Sequence, residues 1–220
     1  MTGFLPLVFY LTVLIFSVMV HEISHGYAAE KLGDPTARLA GRLTLNPIRH
    51  IDPFGSIILP LIFVLTHSPI VLGWAKPVPY NPANLHKDYR YGPLKVALAG
   101  PLSNLLILVV FGLIARAGVY FLNPLLVGLF AFIAYLNVFL AIFNLIPIPP
   151  LDGSKILPLL LPPRYALAFE RIGFSGILLI LLFIFFFSDV VALLAGKLFL
   201  LVAGEGVYKA MIPVFYSLFS

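Results

Sequence analysis

Five consecutive residues, His21-Glu22-Ile23-Ser24-His25, hold the densest potential for chemistry in this chain. Histidines four apart lie on one face of a helix, one turn above each other, so both imidazoles can reach one tetrahedral zinc ion. Glu22, beside the first histidine, is placed to take a proton from a zinc-bound water. The H-E-x-x-H pattern alone is a modest signal, because few identities are fixed. Its setting sharpens it. Residues 1–20 before it contain no charged side chain, and a centrally placed acid in a spanning helix costs at least ~2.5 kcal/mol on insertion scales. Three ionisable groups in five residues demand a compensating partner.

A catalytic zinc site needs a third protein ligand and an open position for water. Asp152 is the best candidate. It follows Asn144-Leu145-Ile146-Pro147-Ile148-Pro149-Pro150-Leu151 and precedes Gly153. Three prolines within four residues cannot continue a helix, so the chain emerges extended and able to carry a carboxylate back into a bundle. Asp189, at the far end of a later apolar segment, falls on the wrong side under the charge assignment below. His50 and Asp52 can also ligate a metal, but their polar loop favours a solvated or capping role.

The elements that must position these residues follow from composition. The 220 residues are 61% hydrophobic and 10% charged, against about 25% charged in ordinary soluble chains, and the mean hydropathy is +1.05. Such a chain cannot cover itself with polar side chains, so its solvent is lipid. Soluble, disordered, fibrous and disulfide-stapled classes are excluded, and the absence of cysteine excludes thiol chemistry. The net charge of +5 is read as orienting the chain in a membrane and not as binding nucleic acid. Apolar spans lie at residues 1–20, 96–115, 123–146 and 172–188. Another at 190–204, interrupted by Lys197, continues into an apolar tail. The first lacks a basic leader region, and its helical pattern runs on to about Lys31, so it is expected to stay as an anchor. The predicted fold is an all-α polytopic membrane protein. A three-helix core (about 4–30, 93–116 and 123–147) is joined by a re-entrant segment and two or three C-terminal membrane helices. The whole forms one domain over 1–220, with its core at 4–155 and the C-terminal helices at 165–220.

Residues 54–75 are uncharged but broken by Pro60 and by Thr66-His67-Ser68-Pro69. Basic residues decide their course. Lys31, Arg38, Arg42 and Arg49 precede the segment; Lys76, Lys87, Arg90 and Lys95 follow it; Lys155, Arg164 and Arg171 follow the 123–146 span. A full crossing splits these clusters between the two sides, whereas a re-entrant dip leaves all of them on one side and Arg116 on the other. The dip obeys the positive-inside rule. Parity agrees: His25 and Asp152 can meet on one metal only if an even number of crossings separates them, and spans 96–115 and 123–146 already supply two.

These residues together resemble the site-2 protease family of intramembrane zinc metalloproteases. The likeness is carried by His21-Glu22-x-x-His25 in the first helix, Gly100-Pro101-Leu102-Ser103-Asn104 opening the next span, and Asn144…Pro147-x-Pro149-Pro150-Leu151-Asp152-Gly153 closing the third. The resemblance implies that His21, His25 and Asp152 hold zinc and that Glu22 is the catalytic base. It further implies that Asn144 lies near the catalytic centre, where it binds substrate backbone or stabilises the oxyanion. Relatives with a PDZ or nucleotide-sensing domain are longer; the compact prokaryotic type without a PDZ domain is expected here. Residues 41–82 stand where relatives have a membrane-dipping hairpin, which either presents backbone to the substrate as an added strand or is purely structural.

The resulting expectation is an intramembrane zinc metalloprotease with one Zn2+ per chain. Its partners would be a transmembrane protein substrate and the lipid bilayer, with basic loops and site opening on the cytoplasmic side of the cell membrane. The alternative is a metal-ion transporter or metal-binding membrane protein using the same ligands. The 20 phenylalanines are read as lipid-facing or core packing. Trp74, Tyr80, Tyr89 and Tyr91 are read as interface anchors, and Lys155 as snorkelling to headgroups. His67 and His86 receive no role.

Overall fold

The computed structural model describes residues 4–58, 62, 65 and 75–219. Its regular structure is helical, with no strand among the described residues. Five helices carry the architecture: α1 (Phe4–Leu32), α2 (Gly92–Gly118), α3 (Pro124–Asn144), α4 (Gly176–Ala203) and α5 (Glu205–Phe219). The first four are long and apolar enough to cross a membrane. Large apolar side chains such as Phe185, Phe186 and Leu201 stand on their exposed faces, the reverse of a water-soluble surface and suited to lipid.

The helix ends follow local chemistry. α1 runs unbroken through the H-E-x-x-H residues and stops at Gly33, whose φ is +114°. There Gly33 N donates to Glu30 O and Asp34 N to Ala29 O, the Schellman arrangement that satisfies the last carbonyls. Asn123 caps α3 by accepting from Leu125 N, and Pro124 takes the first helical position, where a missing N–H costs nothing. α3 ends at Asn144, short of the expected 147, because Pro147 disfavours helical geometry in the residue before it. A larger difference lies in the C-terminal spans. The spans expected at 172–188 and 190–204 are a single helix, α4, and Asp189 lies within it. Ser188-Asp189 contains neither Gly nor Pro, so nothing there interrupts helix propagation; the breaks fall at Gly173 and Gly204, both with positive φ.

The described chain forms two compact units, residues 14–96 and residues 1–13 with 97–220. In the larger unit α3 packs against α4 and α5. Its interior joins Ala131, Ala134 and Val138 of α3 to Ala195, Phe199 and Ala203 of α4 and Val207 and Met211 of α5. Small residues bring the backbones close: a Cβ on Gly128 would lie 2.7 Å from Ala210 O. The other unit centres on Ala29, Leu85 and Val96. Of the predicted re-entrant segment, a π-helical turn at Pro53–Ile58 is described. Most of the rest, with His67 and Trp74, lies outside the described residues.

Candidate metal centre

α1 presents His21, Glu22 and His25 together, because positions 21, 22 and 25 share one side of a helix. Their metal-binding atoms all lie within 4.8 Å of one another, and no other three donors converge in this way among the described residues. Both histidines are buried, at 5% and 8% exposure, and their rings meet edge to face at 4.7 Å between centroids.

Each of the last two residues is pinned by backbone. His25 Nδ1 lies 2.7 Å from Val96 O. A carbonyl only accepts, so Nδ1 carries the proton and Nε2 keeps its lone pair for a metal. Val78 N donates to Glu22 Oε2 at 2.8 Å, which leaves Oε1 as the carboxylate's other acceptor.

The segment that supplies Val78, residues 75–80, has no regular secondary structure. Arg42 holds it, donating from Nη2 to Lys76 O at 2.6 Å and to Pro77 O at 3.4 Å, while Lys76 N donates to His50 O. Burial pulls the Arg42 guanidinium below its usual range; the Glu22 charge opposes that shift and Arg49 adds to it. Further along, buried Asp34 accepts from Asn81 N and Asn84 Nδ2. The segment is a poor edge for strand addition. Pro77 and Pro79 have no N–H, and the Lys76 and Val78 amides are already engaged, so a pairing strand finds only carbonyls between 76 and 79.

Asp152 and Asn144 belong to the other unit. Asp152 is half-buried at the start of a 3-10 turn, Asp152–Lys155, just beyond the exit of α3. Gly153 explains how the chain turns there: a Cβ would fall 2.1 Å from Leu145 O and 2.7 Å from Ile146 O, so only glycine lets this loop lie on the end of α3. Asn144 donates from Nδ2 to Leu140 O at 3.0 Å, which leaves Oδ1 and one N–H uncommitted by that bond. The structure thus gathers His21, Glu22 and His25 in one unit, and Asn144 and Asp152 around the exit of α3 in the other.

Asp52 takes the capping role expected of it, its Oδ1 accepting from Phe54 N and Gly55 N at 3.1 and 2.6 Å. His50 is buried with Nε2 against Thr44 O, so neither residue joins a three-donor group. Sequence reasoning missed Val96, Val78, Arg42 and Asp34. A backbone carbonyl leaves no sequence signal. Val78 does leave a faint one, as the one amide between two prolines, and Arg42 was read only as a topology charge.

The donor set fits zinc: neutral imidazoles with carboxylate oxygen are its usual ligands, and one His already has the second hydrogen bond that orients such ligands. Comparison with known proteins agrees. The family model described as Peptidase family M50 matches residues 120–187. A Bacillus subtilis protein named "Putative zinc metalloprotease YwhC" is 43% identical over 157 residues, 68% of each chain. Rip2 of Mycobacterium tuberculosis, named with the same description, is 31% identical over 77% of this chain and 64% of its own length. Zinc metalloprotease MJ0392 of Methanocaldococcus jannaschii is 28% identical over 70% of this chain and 35% of its own. No solved structure matches. Zinc is accordingly the cofactor, and the apolar helices make this a multi-pass membrane protein. The chain belongs to peptidase family M50, the site-2 proteases, and is a zinc metalloendopeptidase.

Proposed function

We propose that this enzyme hydrolyses peptide bonds of transmembrane or membrane-proximal protein substrates, with His21, His25 and Asp152 as its zinc ligands and Glu22 as its general base. The observation that carries the reading is the convergence of His21, Glu22 and His25 within 4.8 Å, with the His25 tautomer fixed by Val96. Bound zinc supplies Lewis-acid polarisation of the scissile carbonyl and lowers the pKa of water towards ~7. Glu22, its Oε2 held by the Val78 amide, takes the attacking water's proton on Oε1 and returns it to the departing nitrogen. Asn144 holds substrate backbone or the developing oxyanion with the groups that Leu140 does not occupy. A substrate helix has its backbone bonds satisfied internally, so it must unwind before cleavage, and helix-breaking residues in the substrate favour reaction. The concentration of basic residues in loops 31–53, 76–95 and 155–171 supports a cytoplasmic opening.

Zinc analysis and cleavage of a single-span transmembrane test peptide separate the roles. Asp152→Ala is expected to lose both metal and activity. An Asp152→Ala protein that retained one zinc per chain would remove Asp152 from the ligand set.

A further inference from the structure

We infer that Arg42 is a positioning residue for the catalytic carboxylate: it clamps the backbone at residues 76 and 77 so that the next amide, Val78, fixes Glu22. The inference rests on Glu22 being the general base.

A general base works only within a few tenths of an ångström of its productive place, and the Glu22 carboxylate takes its lateral hydrogen bond from Val78 N at 2.8 Å. The position of that amide is therefore part of the catalytic geometry. Residues 75–80 have no regular secondary structure and belong to no sheet among the described residues. Pro77 and Pro79 rule out ladder pairing that would hold them. The carbonyls must be held instead, and Arg42 reaches both Lys76 O and Pro77 O. Both contacts come from Nη2, the near one at 2.6 Å to Lys76 O and the long one at 3.4 Å to Pro77 O, and the planar guanidinium holds that nitrogen in a fixed direction that a freely rotating ammonium lacks.

Arg42 is itself placed by design of the chain around it. It is 7% exposed. It follows Gly41, whose φ of +63° closes the Thr36–Leu39 turn, with Gly41 N donating to Arg38 O and Arg42 N to Ala37 O, the Schellman pattern again. Ala37 and Val78 both pack onto Gly26, the residue after His25; a Cβ there would lie 2.8 Å from Val78 Cγ1 and 3.0 Å from Ala37 Cβ. The turn that carries Arg42 and the segment it clamps thus meet on α1 beside the histidine pair. A buried guanidinium is costly unless compensated. Here the two carbonyls take Nη2 and the Glu22 charge offsets part of the cost of burial, while Nε is buried without a hydrogen-bond partner among the described residues.

The test uses the full-length zinc-loaded chain in detergent micelles and a single-span transmembrane test peptide. Arg42→Gln is expected to lower kcat about 10- to 100-fold, the scale of a small misplacement of a reacting group, with KM and zinc content within twofold of wild type. Arg42→Lys recovers part of the loss. Val78→Pro, which deletes the amide itself, matches Arg42→Gln and serves if that variant does not fold. Arg49→Gln, which removes a neighbouring exposed cation, leaves kcat unchanged. Amide exchange on the metal-free protein gives a second readout, because Val78 is the one exchangeable backbone amide between Pro77 and Pro79. Its exchange should speed at least tenfold in Arg42→Gln. Wild-type kcat in Arg42→Gln or Val78→Pro, beside an inactive Glu22→Gln, overturns the clamp, as does unchanged Val78 exchange. An active Glu22→Gln overturns the base assignment instead, and the exchange measurement still decides whether the clamp exists.

Discussion

The imidazole of His25 and the carbonyl of Val96 meet at 2.7 Å across 71 residues of sequence. That contact puts the ring proton on Nδ1 and so makes Nε2 the nitrogen whose lone pair could serve a metal, and it can be separated from metal binding by substitution. In His25→Asn the side-chain amide can keep a donor toward Val96 O while nothing reaches the Nε2 position. Zinc content should fall from one per chain towards zero, with helix content by circular dichroism unchanged. Full zinc occupancy in His25→Asn would show that His25 is no ligand.

Gly153 gives a second test, aimed at Asp152. Its Cβ position is filled by Leu145 O, so Gly153→Ala must push the Asp152 loop away from the end of α3, at about 1–3 kcal/mol of overpacking strain. The expected result is lower thermal stability together with weaker zinc binding. Asp152→Asn, by contrast, should weaken zinc binding while the melting temperature of the metal-free protein stays put.

How much of this could be read from the sequence depends on which atoms do the work. Side chains in helical register announce themselves: His21 and His25 lie four apart, and the three core spans end within three residues of their expected limits, because Gly33, Asn123-Pro124 and Pro147 are strong local punctuation. The Asp152 loop was legible for the same reason, through its prolines. Backbone partners were not. Val96 O has no residue-type signature, Val78 N has only the faint one of lying between two prolines, and Arg42 finds its role only when residues 42 and 76 are brought together in space. The division of α4 at Asp189 was misread because a charge suggests a membrane boundary, while the helix itself needs a backbone breaker to stop.

Acid should loosen the segment behind Glu22. Asp34 is buried and accepts from Thr36, Asn81 and Asn84. Burial pushes its carboxyl up, but these hydrogen bonds outweigh burial and hold it below the ordinary range. A lowered native value means that the unfolded chain binds the proton first. The stabilisation is therefore complete above the unfolded value of ~3.9 and disappears as pH falls through the native one. Amide exchange across residues 76–86 should be slow at pH 7 and accelerate below pH ~4 beyond its intrinsic pH dependence. In Asp34→Asn that extra acid sensitivity should vanish, with protection at pH 7 lower by about 1–3 kcal/mol.

Gly26→Ala probes the packing that seats Val78. The added methyl lies 2.6 Å from Leu43 Cδ2 and 2.8 Å from Val78 Cγ1. Leu43 can swing aside, but Val78 moves only with its backbone. A kcat loss of about tenfold with zinc retained is expected, within the range for a displaced reacting group; wild-type turnover would mean that the segment tolerates the shift.

The most direct measurement is cleavage of a transmembrane test peptide by Glu22→Gln, with zinc quantified in the same sample. The account predicts one zinc per chain and no detectable product, because the glutamine cannot accept the water's proton. Turnover at the wild-type rate with zinc in place would contradict it.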